Sequence, residues 1–564
     1  MKKLTLVNAV VPQKAGQEDK LPPLGPLGIA AVMELRGWQV DFRDLQSESP
    51  PVFKPDKFVN FLSDAADIIG ISCLSNDLPA VCAAISQLKQ NHPHKMVILG
   101  GIGPSLVAED LLRCFPSVDV VVKGEGETAI MELVDAITSR SNLTKVKGIA
   151  YRDTNNVVVT AHRPTICDLE RLPLPAYHLF DFSKIDHDTL SEGVVRPASV
   201  ITSRGCAYKC TFCVNAAMWP EGVRFRSIES VIKEVLLLKE VYNRNFIHFC
   251  DDVFTLDRTR VTEICRRLEN EVGHIKWSCS ARIDTMNKEL LKIMAKAGCV
   301  EIQYGVESGS DRVRHRLGKQ FSTKDALGVI EDSRKTFLSV RVSFMWGFPF
   351  ECLEDLYDTM LFMKILSEKG VRLNFTFLEP QPGTVLFKQY ADKLKTLDTL
   401  PFTNRPRLYD YSEQFVEFIK AYPSVFTNLC YIDSQNLYDK VKSLQRFGLH
   451  NLNLSDFRLS AGIERRQPVI SCVVRMKRVP KVDPNIRLRE LAGTFYIFNV
   501  CDSACHEINE ESAQIMQGCL TGKTPSHIAK MLAEHYGVSP TTATSYVQDV
   551  LRLFLVKGWV NFPS

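Results

Sequence analysis

Three cysteines fall within eight residues of the stretch RGCAYKCTFC: Cys206, Cys210 and Cys213, spaced C-x3-C-x2-C. A structural zinc site takes four ligands, commonly as two spaced pairs, and no fourth Cys or His lies close by. A disulfide would leave one thiol over. Iron–sulfur clusters, by contrast, are held by Cys thiolates. Three ligands on a four-iron cluster leave one iron open for a substrate or cofactor, as an open coordination position makes a metal site catalytic. A zinc site, or a set of merely buried cysteines, leaves that incompleteness without a purpose.

Such a loop needs a rigid element before it, and the sequence supplies one. The triplet follows the strand-like ASVITSR, the first of six apolar runs separated by helical segments between 194 and 400; the others are FIHFCDD, WSCSARID, VEIQYGVES, VRVSFMWGFP and LNFTFLEP. Six βα units describe a curved parallel sheet, an incomplete relative of the eight-unit barrel, in which chemistry sits on the loops after the strands. The cysteines lie where that rule places them.

With this spacing and position, the segment resembles the radical S-adenosylmethionine (SAM) enzymes. The resemblance implies a [4Fe–4S] cluster held by Cys206, Cys210 and Cys213, with SAM chelated through its amino and carboxylate groups to the open iron. Reduction by an external donor, such as flavodoxin or ferredoxin, would then cleave SAM to a 5′-deoxyadenosyl radical. The same resemblance implies that Phe212 lies near the adenine. It also implies that Asp251 or Asp252 of FCDDVFT approaches the SAM amino group, and that Glu307 and Ser308 of YGVESGS approach its ribose or carboxylate. Gly347 and Pro349 of WGFPFE would form a turn beside adenine. Each of these residues has a plainer alternative role, closing a βα turn.

Residues 1–145 alternate strands (LTLVNAVV, QVDFRD, DIIGISC, KMVILGG, VDVVVKG) with amphipathic helices, the pattern of a doubly wound parallel sheet covered on both faces. Glycines follow the strand ends at Gly100, Gly101, Gly103, Gly124 and Gly126, where ligands of such folds bind; tight strand–helix packing is their other use. The segments PLGPLGIAAVMELRGWQVDFRD, DIIGISC, VILGGIGPS and VVVKGEGET resemble the cobalamin-binding domain that precedes the barrel in a large radical-SAM class. The resemblance implies cobalamin, as methylcobalamin, near Ser72, Ser75, Gly100, Gly101, Gly124, Glu125 and Gly126. The DxHxxG loop that supplies a histidine to cobalt in the wider fold is missing here, as is usual in the radical-SAM class.

Residues 146–193 are expected to form a small β-rich connector, and 401–483 a mixed, mainly helical extension without a chemical motif. From 484 to 564 a hairpin, RLRELAGTFYIFNV, precedes three helices, two of them started by Thr-Pro or Ser-Pro. The outline fits a winged helix, and a cofactor-binding transcriptional regulator is one reading of the chain. The tail, however, has six Lys/Arg against seven Asp/Glu, without the basic footprint of a DNA binder. The segments HEINEESAQIMQGCLTGKTPSHIAKMLAEHYG and VQDVLRLFLVKGWV resemble the PqqD-like peptide chaperone domains, and the resemblance implies a small α+β fold and a ribosomally made precursor peptide held by strand addition.

The whole-chain composition agrees with an enzyme of balanced charge. A net charge of +4 from 69 Lys+Arg and 65 Asp+Glu argues against a nucleic-acid partner. No apolar run reaches the ~18–20 residues of a membrane span, and the basic start MKKLTLVNAVVPQ lacks a cleavage region and is expected to be the first strand. The 17 cysteines are odd in number and scattered in apolar segments. Residues such as Cys73, Cys82 and Cys299 are expected to be small buried hydrophobes, and the chain to work in the cytoplasm with its thiols reduced. Methylation of an unactivated peptide carbon is the leading expectation; cyclisation or rearrangement of a peptide or small natural product is the alternative.

Overall fold

Period-two alternation decides how the first domain is layered. In the strand Lys3–Asn8, Leu4 and Leu6 face one core and Val7 the other. Helices Leu24–Leu35 and Glu127–Thr138 cover the first face with Ala30, Met33, Ile130 and Leu133, and Leu78–Asn91 covers the second with Val81, Ile85 and Leu88. The sheet runs Gln39–Asp44, Lys3–Asn8, Ile68–Ser72, Met96–Gly100 and Val120–Val122, all parallel, so its order reverses beside the first strand. The computed structural model describes residues 2–9, 21–47, 55–154, 156–189, 193–396, 413–434, 436–447, 449, 454–457, 474–501 and 503–562.

One boundary moves. Ile149–Asp153 and Asn156–Val159, expected in a separate connector, pair antiparallel onto Val120–Val122 and extend the first sheet. The hairpin covers what would otherwise be an open edge.

The second sheet places Pro197–Val200, Phe246–Phe249, Lys276–Ala281, Cys299–Glu307, Ser339–Trp346 and Arg372–Phe377 side by side and parallel. In Ser339–Trp346 the residues Val340, Val342, Phe344 and Trp346 are buried, with the Phe344 ring 5.8 Å from Phe362 on the covering helix Leu353–Glu368. The alternate residues turn to the concave interior, where Ser343 Oγ accepts from Gln303 Nε2 at 3.1 Å and Asn374 Nδ2 at 3.3 Å. Helices start where the strands end because Asp257, Asn287, Ser310 and Ser322 each accept a first-turn backbone N–H.

The motif-free extension, whose residues 397–412 and 458–473 lie outside those described, closes the barrel's free edge: Leu454–Phe457 pairs antiparallel with Arg372–Phe377. Its helix Glu413–Ala421 and the turn after it bring Phe418, Tyr422 and Phe426 to within 5.8 Å of the Phe115 ring in the first domain. A second helix, Leu437–Arg446, packs on Leu353–Glu368.

The tail forms a three-stranded antiparallel sheet, Ile486–Leu491, Thr494–Asn499 and Cys505–Ile508, followed by helices Glu510–Leu520, Pro525–Tyr536 and Pro540–Val556. Thr524 and Ser539 cap the last two, as the Thr-Pro and Ser-Pro pairs indicate. Arg489 Nε donates to Asp358 at 2.5 Å and Arg487 Nε to Glu354 at 3.2 Å, fixing the first strand of this sheet to barrel helix Leu353–Glu368. Among the described residues Cys505–Ile508 pairs with no strand on its outer side. No helix among them is long and apolar enough to cross a membrane.

Candidate active site at the seam of two domains

The cysteine loop leaves the first barrel strand through Gly205, whose φ of +87° favours glycine and where a Cβ would lie 2.3 Å from Gly222 O. Thr211 N–H bonds Leu317 O at 3.1 Å, and Leu386 N–H bonds Thr211 O at 2.9 Å, which pins the loop to the helices Asp311–Leu317 and Val385–Tyr390. All three thiols are partly exposed. Burial pushes the Cys206 thiol up and the Cys213 thiol up to about 11, so these two would have to lose a proton to serve as ligands. Arg282 Nη1 lies 3.7 Å from Cys210 Sγ, and its guanidinium rests 3.6 Å from the Tyr208 ring centroid and bonds Asp284. Among the described residues no three His, Cys, Asp or Glu side chains meet at one ion-sized point. Three thiols on one loop can serve the several irons of a cluster.

The structure separates the two aspartates. Asp251 is buried, and its carboxylate accepts from Thr202 N at 3.1 Å, Thr202 Oγ1 at 2.8 Å and Ser203 Oγ. It ties together the ends of the first two barrel strands and is not available to SAM, which corrects that half of the expectation. Asp252 is not enclosed by protein donors as Asp251 is: it lines the cavity at the seam, partly shielded from water. Burial raises its pKa, against a hydrogen bond from Asn215. Proximity to Asp252 also adds to the upward push on Cys206 and Cys213.

Ser308 is a second correction. Its side chain is fully buried, with Oγ 3.0 Å from Thr359 Oγ1 and accepting from Ser310 N at 3.2 Å, so it braces the turn instead of facing a ligand. Glu307, at φ +70°, is held by Lys319 Nζ at 3.0 Å. Phe212 meets the buried Phe348 ring edge-on at 6.3 Å, which puts the turn Gly347–Pro349 beside the cysteine loop.

A cavity of about 340 Å3 joins the two domains. The first domain contributes Ser72, Gly100, Gly101, Gly124, Glu125 and Gly126, and the barrel Ser203–Gly205, Trp219, Cys250 and Asp252. A Cβ added at Gly100 or Gly124 would meet nothing within 4 Å, so these strand ends leave open floor for a large flat group. Among the described residues no histidine lines the cavity. Ser75 lies beside this region with its Oγ donating to Gln381 at 3.4 Å. Glu125 borders the cavity with its carboxylate already engaged by Arg204 at 3.3 Å, Arg224 at 2.9 Å and Ile166 N at 2.7 Å. Its work is to hold the seam. The residues present therefore fit an iron–sulfur cluster and a corrinoid.

Sequence reasoning missed Arg204, Arg224, Glu127, Arg282 and Lys319, and the polar barrel interior of Gln303, Ser343 and Asn374. The interior was findable from the alternation in SVRVSFMW. The clamp was not, because its members lie about 80 residues apart along the chain.

Residues 200–363 match the radical SAM superfamily, and 16–134 the B12 binding domain. An uncharacterized methyltransferase of Pyrococcus horikoshii, PH0819, is 32% identical over 325 residues, spanning 58% of this chain and 69% of that protein. Cytidylyl-2-hydroxyethylphosphonate methyltransferase of Streptomyces wedmorensis is 28% identical over 374 residues, 58% of this chain and 70% of its own. In fold the chain resembles the radical SAM methyltransferase TsrM of Kitasatospora setae, solved with cobalamin and a [4Fe–4S] cluster, at a TM-score of 0.57 and 17% identity over 78% of this chain and 85% of that one.

Proposed function

The chain belongs to the radical SAM superfamily as a member with a B12 binding domain, and on that premise we propose that it methylates an unactivated carbon of a ribosomally made peptide. It is a radical SAM enzyme, and its cofactors are a [4Fe–4S] cluster, SAM and cobalamin. When bound, these supply the hard chemistry: hydrogen abstraction from the substrate and a methyl group for the carbon so exposed.

The chain's own residues position and exclude. Cys206, Cys210 and Cys213 hold iron, with Arg282 offering a donor to the Cys210 sulfur. Phe212 and Phe348 form an apolar wall beside the loop, and Asp252 presents a carboxylate to the cavity. Gly100 and Gly124 leave floor for the corrinoid. Gln303, Ser343 and Asn374 offer hydrogen bonds to a substrate inside the barrel. The observation that supports the methyl-transfer reading is the shared cavity: Gly100 and Gly124 line the same space as Asp252 and Ser203–Gly205, the residues that lead directly into the cysteine loop.

The peptide part of the reading is supported by the tail. It carries an edge strand, Cys505–Ile508, with no strand on its outer side among the described residues, has near-balanced charge, and is anchored to the barrel through Arg487 and Arg489. A small reduced flavodoxin or ferredoxin would supply the electron. To test this, corrinoid-loaded enzyme is incubated under reduction with methyl-deuterated SAM and a short precursor peptide encoded beside its gene. Gain of one CD3 group on the peptide is expected. Labelled methyl appearing only on a small molecule, with the peptide untouched, would overturn the peptide assignment.

A further inference from the structure

Lys440 stands in the extension that carries no chemical motif, on the helix Leu437–Arg446. Its side chain is wholly buried, and Nζ lies 3.2 Å from Glu351 Oε2, whose side chain is wholly buried too. The same Oε2 accepts the Gly347 N–H at 3.0 Å. Gly347 has φ +86°, and a Cβ there would lie 2.3 Å from Phe377 Cε2, so its backbone has one place to be. The next residue, Phe348, touches Phe212, which sits between Cys210 and Cys213. An unbroken series of contacts thus runs from Lys440 through Glu351 and Gly347 to the cysteine loop.

We propose that Lys440 is a positioning residue of the SAM site: it anchors the Glu351 carboxylate, which fixes the turn Gly347–Pro349 against Phe212 and so shapes the wall that SAM meets beside the cluster. The inference rests on SAM as cofactor and is independent of which substrate is methylated.

A carboxylate taken out of water is stable only when paired. Burial raises the Glu351 pKa, while Lys440 and the Gly347 N–H oppose that rise. The nearby Asp355 adds to the rise and is itself engaged by Arg312. Among the described residues neither Glu351 Oε1 nor Lys440 Nζ has a hydrogen-bond partner, so Lys440 acts on Glu351 as an ion pair at 3.2 Å and no other donor compensates for its charge. Without the lysine, the carboxyl takes a proton or leaves its place. Either event weakens the bond to Gly347, because hydrogen bonds to a carboxylate are about twice as strong as neutral ones. The helix itself has other anchors, Leu437, Val441 and Leu444 in the core and Ser443 Oγ 3.3 Å from Tyr357 OH, so removing one charge need not release it.

The test uses the full-length reconstituted protein with its cluster oxidised, so that SAM binds uncleaved, and follows SAM by equilibrium dialysis, iron by chemical analysis and folding by thermal melt. Lys440→Met should keep its iron yet bind SAM about tenfold more weakly, the size of one lost charge-assisted hydrogen bond. Glu351→Gln alone, which strands the buried lysine, should also weaken binding. The double variant Lys440→Met/Glu351→Gln should recover most of the affinity, since the Gln oxygen still accepts from Gly347 with no charge to compensate. Should Lys440→Met fail to fold, a folded, SAM-binding double variant still supports the proposal. Lys440→Met with unchanged SAM affinity would overturn it, as would a double variant no better than the single one, which would mark the lysine as packing only. Wild-type protein that bound no SAM would bring down the cofactor assignment, and this inference with it.

Discussion

Arg204 Nη2 donates to Glu127 Oε1 at 2.5 Å, across the seam between the cysteine loop and the turn that ends the fifth strand of the first domain. Its Nη1 reaches Glu125 at 3.3 Å, and both glutamates are nearly buried. Burial alone would lower the Arg204 pKa, but Glu127 and Glu125 more than offset it, so the arginine stays charged. This clamp sits two residues before Cys206 and holds the floor of the shared cavity against the cluster loop.

Arg204→Leu leaves the Glu127 carboxylate without its arginine, while Glu125 keeps Arg224 and the Ile166 N–H, and should cost about 3–5 kcal/mol, the usual price of breaking a buried pair. A fall in melting temperature together with loss of retained corrinoid is expected. Arg204→Lys should recover only part of it, because a lysine cannot serve two carboxylates with one planar fork. Unchanged corrinoid retention in Arg204→Leu would show that the clamp does not shape the cavity.

The clamp also marks the limit of what the sequence discloses. The six-unit barrel, the doubly wound first domain and the cysteine loop follow from local patterns: strand runs, helix caps and a three-ligand spacing. Whether a polar residue faces a ligand or braces a turn is set by partners far along the chain. Ser308 and Asp251 sit in strand-end motifs that look like binding residues, yet Thr359 and Thr202–Ser203 occupy them. The pairing of Ile149–Asp153 with the first sheet was hidden because a short hairpin has the same alternation whichever sheet it joins.

Gly100→Val should leave folding intact, since an added Cβ there meets nothing within 4 Å. The branched side chain would project into the cavity and lower corrinoid affinity, read by absorbance of the bound corrinoid after desalting. Iron content should not change. Equal corrinoid loading in the variant would move the binding site elsewhere.

The adjacent aspartates should part company. Asp251→Ala removes the acceptor for Thr202 and Ser203 in a buried site and should cost about 1–3 kcal/mol for the donors left unpaired. Asp252→Ala should melt like the wild type and bind SAM more weakly. Thermal melts and equilibrium dialysis on the two variants decide the matter; the reverse pattern would exchange their roles.

Asp355 gives the fold an acid limit. Burial works to raise its pKa, but hydrogen bonds from Arg312, Cys352 and Ser310 prevail and hold the carboxyl down to about 2, against an ordinary value of 3.8. A depressed carboxyl stabilises the folded state above pH 4 and ceases to do so as the pH falls from there toward 2. Asp355→Asn should therefore be less stable than wild type by about 1–2 kcal/mol at neutral pH, allowing for solvent screening. The gap should close between pH 4 and 2 in denaturant titrations. A gap that persisted unchanged at pH 2 would assign the difference to packing.

The central claim is that one loop of three cysteines starts radical chemistry beside a corrinoid. It is tested most directly by product analysis of anaerobically reconstituted, corrinoid-loaded protein given SAM and a strong reductant. The account predicts 5′-deoxyadenosine from the wild type and none from Cys206→Ala, Cys210→Ala or Cys213→Ala. With a methyl-accepting substrate present, S-adenosylhomocysteine should appear beside it. Undiminished 5′-deoxyadenosine from the triple alanine variant would contradict the account.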